Sequence, residues 1–365
     1  MEPWTLAITS AAVALSTAEP VYRASSPPHG RREGNMSQVL TVPRNDEQEL
    51  APSGMGEQDL LRPIRYAVIA PSSHNTQPWR FRVGDDQIDL FADPSRWLRV
   101  ADPGRRELHL SLGAALENLV IAAEHFAYSP EVEYFPDPAK RDWIARISLA
   151  RVRQTKRPSL FAALPGRHTT RGAYSGEPVD DELLAELAAI ACDTGIWAWT
   201  STDAKAYDGV AGLIARGDRV QHADPAFRRE LGESIGEGLM GLPRPLARIA
   251  RAAVTRMNFG ERLARSDAAL ITRSGALLVI VSKDDDAVTQ VRAGRALERV
   301  WLLGTLLGLV LHPMSQALQV PELRRELAEL IGEPGKHPQH LFRIGWAGPR
   351  KSRSRRKNVE AVLLP

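Results

Sequence analysis

Between Ala70 and Phe81 the chain reads Ala-Pro-Ser-Ser-His-Asn-Thr-Gln-Pro-Trp-Arg-Phe, a run of amides and hydroxyls held between two prolines. Ser72, Ser73, Asn75 and Gln77 each offer directional hydrogen bonds, a density that suits a heteroaromatic or polyol ligand. Composition alone equally allows a turn that only redirects the chain. Further on, Arg167-His168-Thr169-Thr170-Arg171 spaces its groups at every second position. In an extended segment residues 167, 169 and 171 point to one side, so two guanidinium groups and a hydroxyl would meet one anion. Phosphate suits that set best, because arginine presents a bidentate fork and threonine adds a hydrogen bond; solvated charge is the other reading. A third run, Arg350, Lys351, Arg353, Arg355, Arg356 and Lys357, is basic enough for a solvated patch or a nucleic-acid contact. The nine histidines are scattered and no acidic or cysteine cluster has metal-ligand spacing, so no metal is expected.

Composition bounds what these groups could serve. The 365 residues are 43% hydrophobic and 25% charged, enough for a sizeable core and the soluble globular class. A net charge of +3 from 47 basic and 44 acidic residues is too balanced to imply a nucleic-acid or membrane partner. The single cysteine, Cys192, rules out an intramolecular disulfide and fits a reducing cytoplasm. Residues 1–56 read as a disordered tail: Ser25 to Asn35 and Pro52 to Gln58 are rich in Pro, Gly, Ser and charge. Met1-Glu2-Pro3 lacks the basic start of a secretory signal, and Met36 is an alternative first residue.

Helices and strands must position the motifs. Leu60, Leu61, Ile64, Ala67 and Val68 recur at helical spacing and deliver the chain to the Ala70 loop. Trp79 to Val83 and Ile88 to Ala92 read as a hairpin around Gly84-Asp85-Asp86, and Trp143 to Leu149 as a strand closing a first half. A helix over His109 to Tyr128 and another over Arg292 to Leu311 are apolar on broad faces and must be buried, packed together. A shorter helix runs from about Asp181 to Ala191. The chain also repeats itself: Gly113-Ala114-Ala115-Leu116-Glu117 returns as Gly294-Arg295-Ala296-Leu297-Glu298, Ala67 to Ala70 as Ala188 to Ala191, and Ala145 to Leu149 as Phe342 to Trp346. The offsets differ, so the second half carries extra residues. Gly232 to Ala269, with an amphipathic Leu246 to Leu263, is their expected address, either a cap over a site or a surface excursion.

With these motifs the chain after the tail resembles the FMN-dependent nitroreductase superfamily, whose flavin-contacting loop has the form A-P-S-x-x-N-x-Q-P-W, and within it the Acg-type single-chain proteins. The resemblance implies an α+β, nitroreductase-like fold: two tandem half-repeats, residues 57–155 and 156–365 with a cap at about 232–269, form an intrachain pseudo-dimer with central, mainly antiparallel sheets flanked by helices. It implies that FMN is held by Ser72, Ser73, Asn75, Gln77, Pro78, Trp79, Arg80 and Phe81, with Arg167, Thr169 and Arg171 on its phosphate. Pro313, Met314 and Ser315 would follow His312 in a loop facing the reactive N5, where His312 itself is structural and the family's usual acidic residue is missing. Arg353, Arg355 and Arg356 would return to the phosphate. The first half has the loop without the R-x-S/T-x-R segment and the second half the reverse, so one FMN per chain is expected. The implied activity is electron transfer from NAD(P)H to a small-molecule acceptor of the nitroaromatic or quinone type, with flavin N5 carrying the chemistry and no catalytic side chain. The chain would then be a monomer mimicking the family homodimer, with no nucleic-acid or membrane partner. The alternatives are an FMN-sequestering protein with an occluded flavin, or a nucleic-acid-binding module built on the basic tail.

Overall fold

The computed structural model describes residues 57–152, 160–239, 242–348 and 354–365. The expectations for the tail, for Met36, for the boundary at 155/156 and for Arg350, Lys351 and Arg353 lie outside the described residues.

Two four-stranded sheets carry the fold. Strands β1 (Trp79–Val83), β2 (Gln87–Ala92), β3 (Tyr128–Tyr134) and β4 (Trp143–Arg151) lie in the order β1-β2-β4-β3, and β5 (Ile196–Ser201), β6 (Ala276–Ser282), β7 (Val310–Pro313) and β8 (His337–Gly345) in the order β5-β6-β8-β7. Every strand pairing in both sheets is antiparallel. The same order appears twice, so the two halves are copies of one α+β unit. The first half contributes helices α1 (Glu57–Ala67) and α2 (Arg106–His125). The second contributes α3 (Asp181–Ala191), α4 (Ala204–Ala223), α5 (Pro225–Gly236), α6 (Arg244–Arg256), α7 (Gly260–Ile271), α8 (Ala287–Leu306) and α9 (Pro321–Leu330).

Helices α2 and α8 pack together at the centre and are buried almost all round, as their broad apolar faces require, with Glu117 and Glu298 carried inside. One hydrophobic core runs across both halves through them, joining Ile88, Leu90 and Ile147 of the first sheet to Leu278, Ile280 and Phe342 of the second. Both helices start and stop earlier than their apolar runs suggest. Asp286 caps α8 by accepting from the Thr289 amide at 3.0 Å, and Gly308, at φ +77°, turns the chain out of the helix. The residues from Val310, expected as the end of that helix and the loop after it, are instead the edge strand β7. Pro313 and Met314 leave that strand, and the Met314 side chain is buried in the outer core of the second half.

The extra residues of the second half sit between β5 and β6. In the first half the equivalent strands are joined by the tight turn at Gly84-Asp85-Asp86, closed by the Gly84 amide on the Gln87 carbonyl at 2.9 Å. In the second half the connection holds α4 to α7, so the insertion is longer than Gly232 to Ala269. The expected amphipathic Leu246 to Leu263 run is broken between α6 and α7, with Asn258 Oδ1 accepting from the Gly260 amide at 2.8 Å.

That insertion explains a difference between the sheets. On β2 only alternate residues enter the core, and Asp89 on the other face is paired with Arg146 at 3.0 Å. On β6 all seven residues are buried, because α4, α7 and α9 cover the outer face with Val210, Ile214, Ile271 and Leu327 against Leu277, Val279 and Val281. The C-terminal segment crosses back to the first half, where Leu363 pairs in parallel with Phe81 and the Leu364 amide donates to the Phe81 carbonyl at 2.7 Å.

Candidate functional site at the junction of the halves

The Ala70 loop is built to hold one shape. His74, Asn75 and Gln77 all have positive φ (50°, 57° and 51°), a conformation that costs non-glycine residues about 1–3 kcal/mol each. Local bonds offset that strain: Ser72 Oγ accepts from the Gln77 amide at 3.0 Å, and the Ser72 and Ser73 carbonyls accept from the amides of Asn75 and Thr76 at 2.9 and 3.1 Å. Tertiary bonds finish the work. The Ser73 hydroxyl donates to Glu107 Oε2 at 2.7 Å, and the Ser73 amide donates to Ser111 Oγ at 3.3 Å. Glu107 lies at the start of α2 beside Arg106; burial is the largest influence and opposes its charge, but Arg106, His340 and the hydrogen bonds from Ser73 and Arg106 together hold the carboxyl below its ordinary range.

Three segments distant in sequence converge here. Asn75 Nδ2 donates to the Arg355 carbonyl at 3.1 Å, Arg356 Nη1 donates to Asn75 Oδ1 at 2.7 Å, and the Lys357 amide donates to Gln77 Oε1 at 2.8 Å. Arg167 Nη2 and Arg356 Nη2 both reach the Ile69 carbonyl, at 3.1 and 3.5 Å. Arg167 is buried, stacks on the Trp301 ring at 4.5 Å and pairs with Glu298 at 3.2 Å. Arg356 Nε is buried without a hydrogen-bond partner among the described residues, and burial, then the nearby Arg167, push that guanidinium down to about 10. Two guanidinium groups thus share a single buried carboxyl. Such a surplus of charge with an unmatched donor fits the phosphate of a mononucleotide.

The one-sided set expected from Arg167, Thr169 and Arg171 is divided. Thr169 forms a parallel bridge to Leu311, which aligns the segment with β7, and Thr169 and Arg171 line a cavity that Arg167 does not line. Arg343 anchors this segment from β8: its Nη2 donates to the carbonyls of Arg171 and Gly172, each at 2.8 Å, and its Nε donates to His312 Nδ1 at 3.0 Å. Accepting at Nδ1 leaves a neutral His312 with its proton on Nε2.

The cavity has a volume of about 340 Å³, within the range of small-molecule sites. The first half supplies Pro71, Ser72, Ser73 and His74 and the α2 residues Glu107, Leu110, Ser111 and Ala114; the second supplies Leu297 and Trp301 of α8 and His312, Pro313 and Ser315 around the end of β7. The insertion closes it with Phe227, Val254, Phe259 and Leu263. On its walls His74 Nδ1, His222 Nδ1, Asp218 Oδ2 and both ring nitrogens of His340 are buried without hydrogen-bond partners among the described residues. Burial pushes His74, His222 and His340 down to about 4, so all three are neutral at pH 7. Apolar walls with unmet polar groups suit a planar heterocycle that carries donors and acceptors at its edges.

Other expected ligands lie elsewhere. Trp79 and Phe81 are fully buried in the central core, Pro78 is buried, and Arg80 faces away to Asp93 at 3.2 Å and to the Ala361 carbonyl. Asn75, Gln77, Arg355 and Arg356 line a second, basic concavity with Arg96 and Lys357. Glu107, Ser111, Asp218, His222, His340 and Arg343 do not stand out in the sequence. They sit within helices or strands, where only the crossing of α2 with the loop and the docking of the insertion reveal their role.

The repeat would generate a second site, and there the chain carries different residues. Where α2 has Ser111 and Ala114, the equivalent positions of α8 are Arg292 and Arg295. Arg292 pairs with Asp193 at the repeat equivalent of the loop, and Arg295 pairs with Glu117 at 2.6 Å and donates to the Tyr134 hydroxyl at 2.7 Å.

Comparison with known proteins places this architecture among relatives. The Nitroreductase family matches residues 164–346. The "Putative NAD(P)H nitroreductase Rv3131" of Mycobacterium tuberculosis is 34% identical over 291 residues, covering 78% of this chain and 84% of that protein. The "Putative NAD(P)H nitroreductase acg" of the same organism is 28% identical over 313 residues, covering 81% and 92%. Among solved structures, the FMN and NADPH-dependent nitroreductase NfnB from Sphigopyxis sp. strain HMH is similar at 18% identity and a TM-score of 0.41, covering 56% of this chain and 97% of that one.

Proposed function

The chain belongs to the nitroreductase family, and from that premise we propose that it is an oxidoreductase which binds one FMN at the junction of its two halves and passes electrons from NAD(P)H to a small nitroaromatic or quinone-type acceptor. The observation that carries this reading is that the Ser72 to Gln77 loop joins two concavities: its first residues meet the Thr169–Arg171 segment at a cavity of mixed polarity, and Asn75 and Gln77 meet the Arg355–Lys357 tail at the basic one. FMN, when bound, supplies the hydride chemistry. The protein's share is position and electrostatics. Arg356 and Arg167 offer positive charge to the phosphate, Ser72, Ser73 and Thr169 offer hydrogen bonds to the polyol and ring edge, and Arg171 holds a positive charge beside the cavity. Leu110, Leu297 and Trp301 provide apolar surface for the ring and keep water from it.

Because Arg292 and Arg295 stand at the equivalent second position, the monomer works with one flavin as a pseudo-dimer. The contacts that join the insertion to the first half favour a second reading, a flavin store whose cofactor is shielded from nicotinamide. Purified protein reconstituted with FMN distinguishes these. One FMN per chain released on denaturation, bleached by anaerobic NADPH or NADH and restored by a nitroaromatic, is the expected result. Two FMN per chain, or none retained, overturns the one-site reading; a bound flavin that resists both nicotinamides but accepts electrons from dithionite supports the store.

A further inference from the structure

The insertion does more than roof the cavity, because it brings to it two polar side chains that each keep one unmatched polar atom among the described residues. Asp218 and His222 lie one turn apart on α4 and both line the cavity. Each is buried, with exposures of 3% and 4%, and each has a ring or carboxyl atom with no hydrogen-bond partner among the described residues, Oδ2 of Asp218 and Nδ1 of His222. Their placement is fixed by close packing. A Cβ on Gly217 would fall 2.7 Å from the Gln316 carbonyl carbon, so α4 lies directly on that backbone, and a Cβ on Gly260 would fall 3.1 Å from the Asp218 carbonyl. Asp267 of α7 lines the same wall and accepts from Gln316 Nε2 at 2.7 Å. Around these groups the walls are Phe227, Phe259, Leu263 and Leu270.

A buried carboxyl oxygen without a partner among the described residues, on the wall of a cavity, is costly unless a ligand uses it. We propose that Asp218 is the proton donor to the electron acceptor, holding a carbonyl-type oxygen of a neutral, quinone-like substrate by a hydrogen bond and protonating it as it is reduced. The proposal rests on the flavin reading above, which supplies the reductant. In the step, the hydride equivalent that reduced flavin would supply forms an O–H bond at one quinone oxygen, both C=O π bonds give way to the aromatic ring so that the other oxygen becomes a phenolate, and the O–H bond of Asp218 breaks as its proton moves to that oxygen. The flavin is oxidised, the quinone becomes the hydroquinone, and the Asp218 carboxylate takes a new proton from water. Burial, and then the neighbouring Asp267 carboxyl, raise Asp218 well above the usual carboxylate range, which keeps the proton available at neutral pH. Asp267 is raised by burial against the opposing pull of Arg343 and Arg171, and Gln316 hydrogen-bonds the pair. The other titratable or charged groups facing the pair are His222 and Arg219 on α4, the former neutral at pH 7. The acid pair disfavours an anionic substrate.

The test uses Asp218→Asn, which keeps shape and one hydrogen bond but cannot give up a proton. Reduced holoprotein is mixed with duroquinone, which needs protons and has no free ring position for thiol addition, and separately with ferricyanide, which takes electrons alone. The variant should lose about 100-fold or more in the duroquinone step, typical of a removed general acid. The decline of that step above neutral pH should vanish, while ferricyanide reduction, measured on the FMN-loaded variant, stays within about two-fold of the parent. Equal losses with both acceptors, or no loss with duroquinone, overturn the assignment. A readout independent of flavin separates this proposal from the cofactor reading: within the infrared absorption of protonated carboxyls at pH 7 in flavin-free protein, one band should shift when duroquinone binds and be absent in Asp218→Asn. Failure to bind FMN would sink the flavin reading, whereas a missing or unshifted band would sink Asp218 as donor.

Discussion

Gly113 of α2 and Gly294 of α8 face each other where the two central helices cross, and they are the same residue of the repeat. A Cβ on Gly113 would lie 2.9 Å from Gly294 Cα and still closer to the Val291 carbonyl oxygen; a Cβ on Gly294 would lie 2.8 Å from Leu110 Cα. Val291 and Leu110 are themselves repeat mates, so the contacts are reciprocal, as an isologous interface requires. The pseudo-two-fold axis of the molecule passes between the two glycines.

Gly113→Ala should therefore destabilise the whole protein by about 1–3 kcal/mol through overpacking, and Gly294→Ala by a similar amount. Chemical denaturation measures both. Because one core spans the halves, unfolding should stay a single transition in each variant. An alanine variant as stable as the parent would mean that the helices part without cost.

The glutamates at the far end of the repeated motif have different fates. Glu117 is paired with Arg295, whereas Glu298 is completely buried, and burial pushes it up to about 7 despite Arg167. The unfolded chain releases that proton near 4.5, so between 4.5 and about 7 the folded state binds more protons. The stability contributed by the protonated form is present below the lower value and lost as pH rises through the upper one. Glu298→Gln removes this contribution. The stability of the parent relative to the variant should fall across that window, by at most about 1.4 kcal/mol for each pH unit crossed. A difference independent of pH would show that Glu298 is already ionised at acid pH.

Arg356 links the tail to the Asn75 loop while carrying the unmatched Nε. Arg356→Ala removes charge-assisted bonds worth about 1.5–3 kcal/mol, so FMN affinity should weaken by about ten- to a hundred-fold in a fluorescence titration. Arg171→Ala, at the cavity wall, should weaken it as well. Unchanged affinity in both would move the phosphate elsewhere.

Local chemistry was legible in the sequence where it was strong. The hairpin around Gly84-Asp85-Asp86 and the helix Asp181–Ala191 follow from turn residues and periodicity, and the repeat of Gly113 to Glu117 marked the two helices that pack at the centre. Strand β6 was not legible, because Ala-Leu-Leu-Val-Ile-Val-Ser is apolar on both faces and has no alternation to read. Its two-sided burial is a consequence of the insertion, which is a tertiary matter. The site divides in the same way. The Ser72 to Gln77 motif stands out by composition, but Trp79 and Phe81 next to it serve the core, because alternation along β1 turns them inward. Arg167 left the expected Arg171 set for the same kind of reason: Glu298 and Trp301 on α8 offered it a buried partner and a ring face that no local spacing announces.

Access to the cavity depends on how the insertion is held against the first half. Glu230 of α5 accepts from the amides of Val100 and Ala101 at 3.0 and 2.8 Å, Glu237 pairs with Arg96 at 2.8 Å, and the Leu239 carbonyl accepts from Asn75 at 3.0 Å. Phe227 packs with Leu98 and Ala101 beneath these bonds. The Arg96–Glu237 pair is half exposed and contributes at most about 1 kcal/mol, and the Glu230 bonds add a similar amount each, so the closure is weak enough to open on the time scale of lid motions. Asn75 belongs to the loop itself and is left intact in the test. Glu230→Ala with Glu237→Ala should accelerate reduction of the bound flavin by NADPH several-fold in stopped-flow absorbance, with a smaller effect on dithionite, which is small enough to need less opening. The double variant should also release FMN faster, since one wall of its cavity is loosened. Equal rates in parent and variant would show that the insertion does not gate the site, and the store reading would lose the observation that favours it.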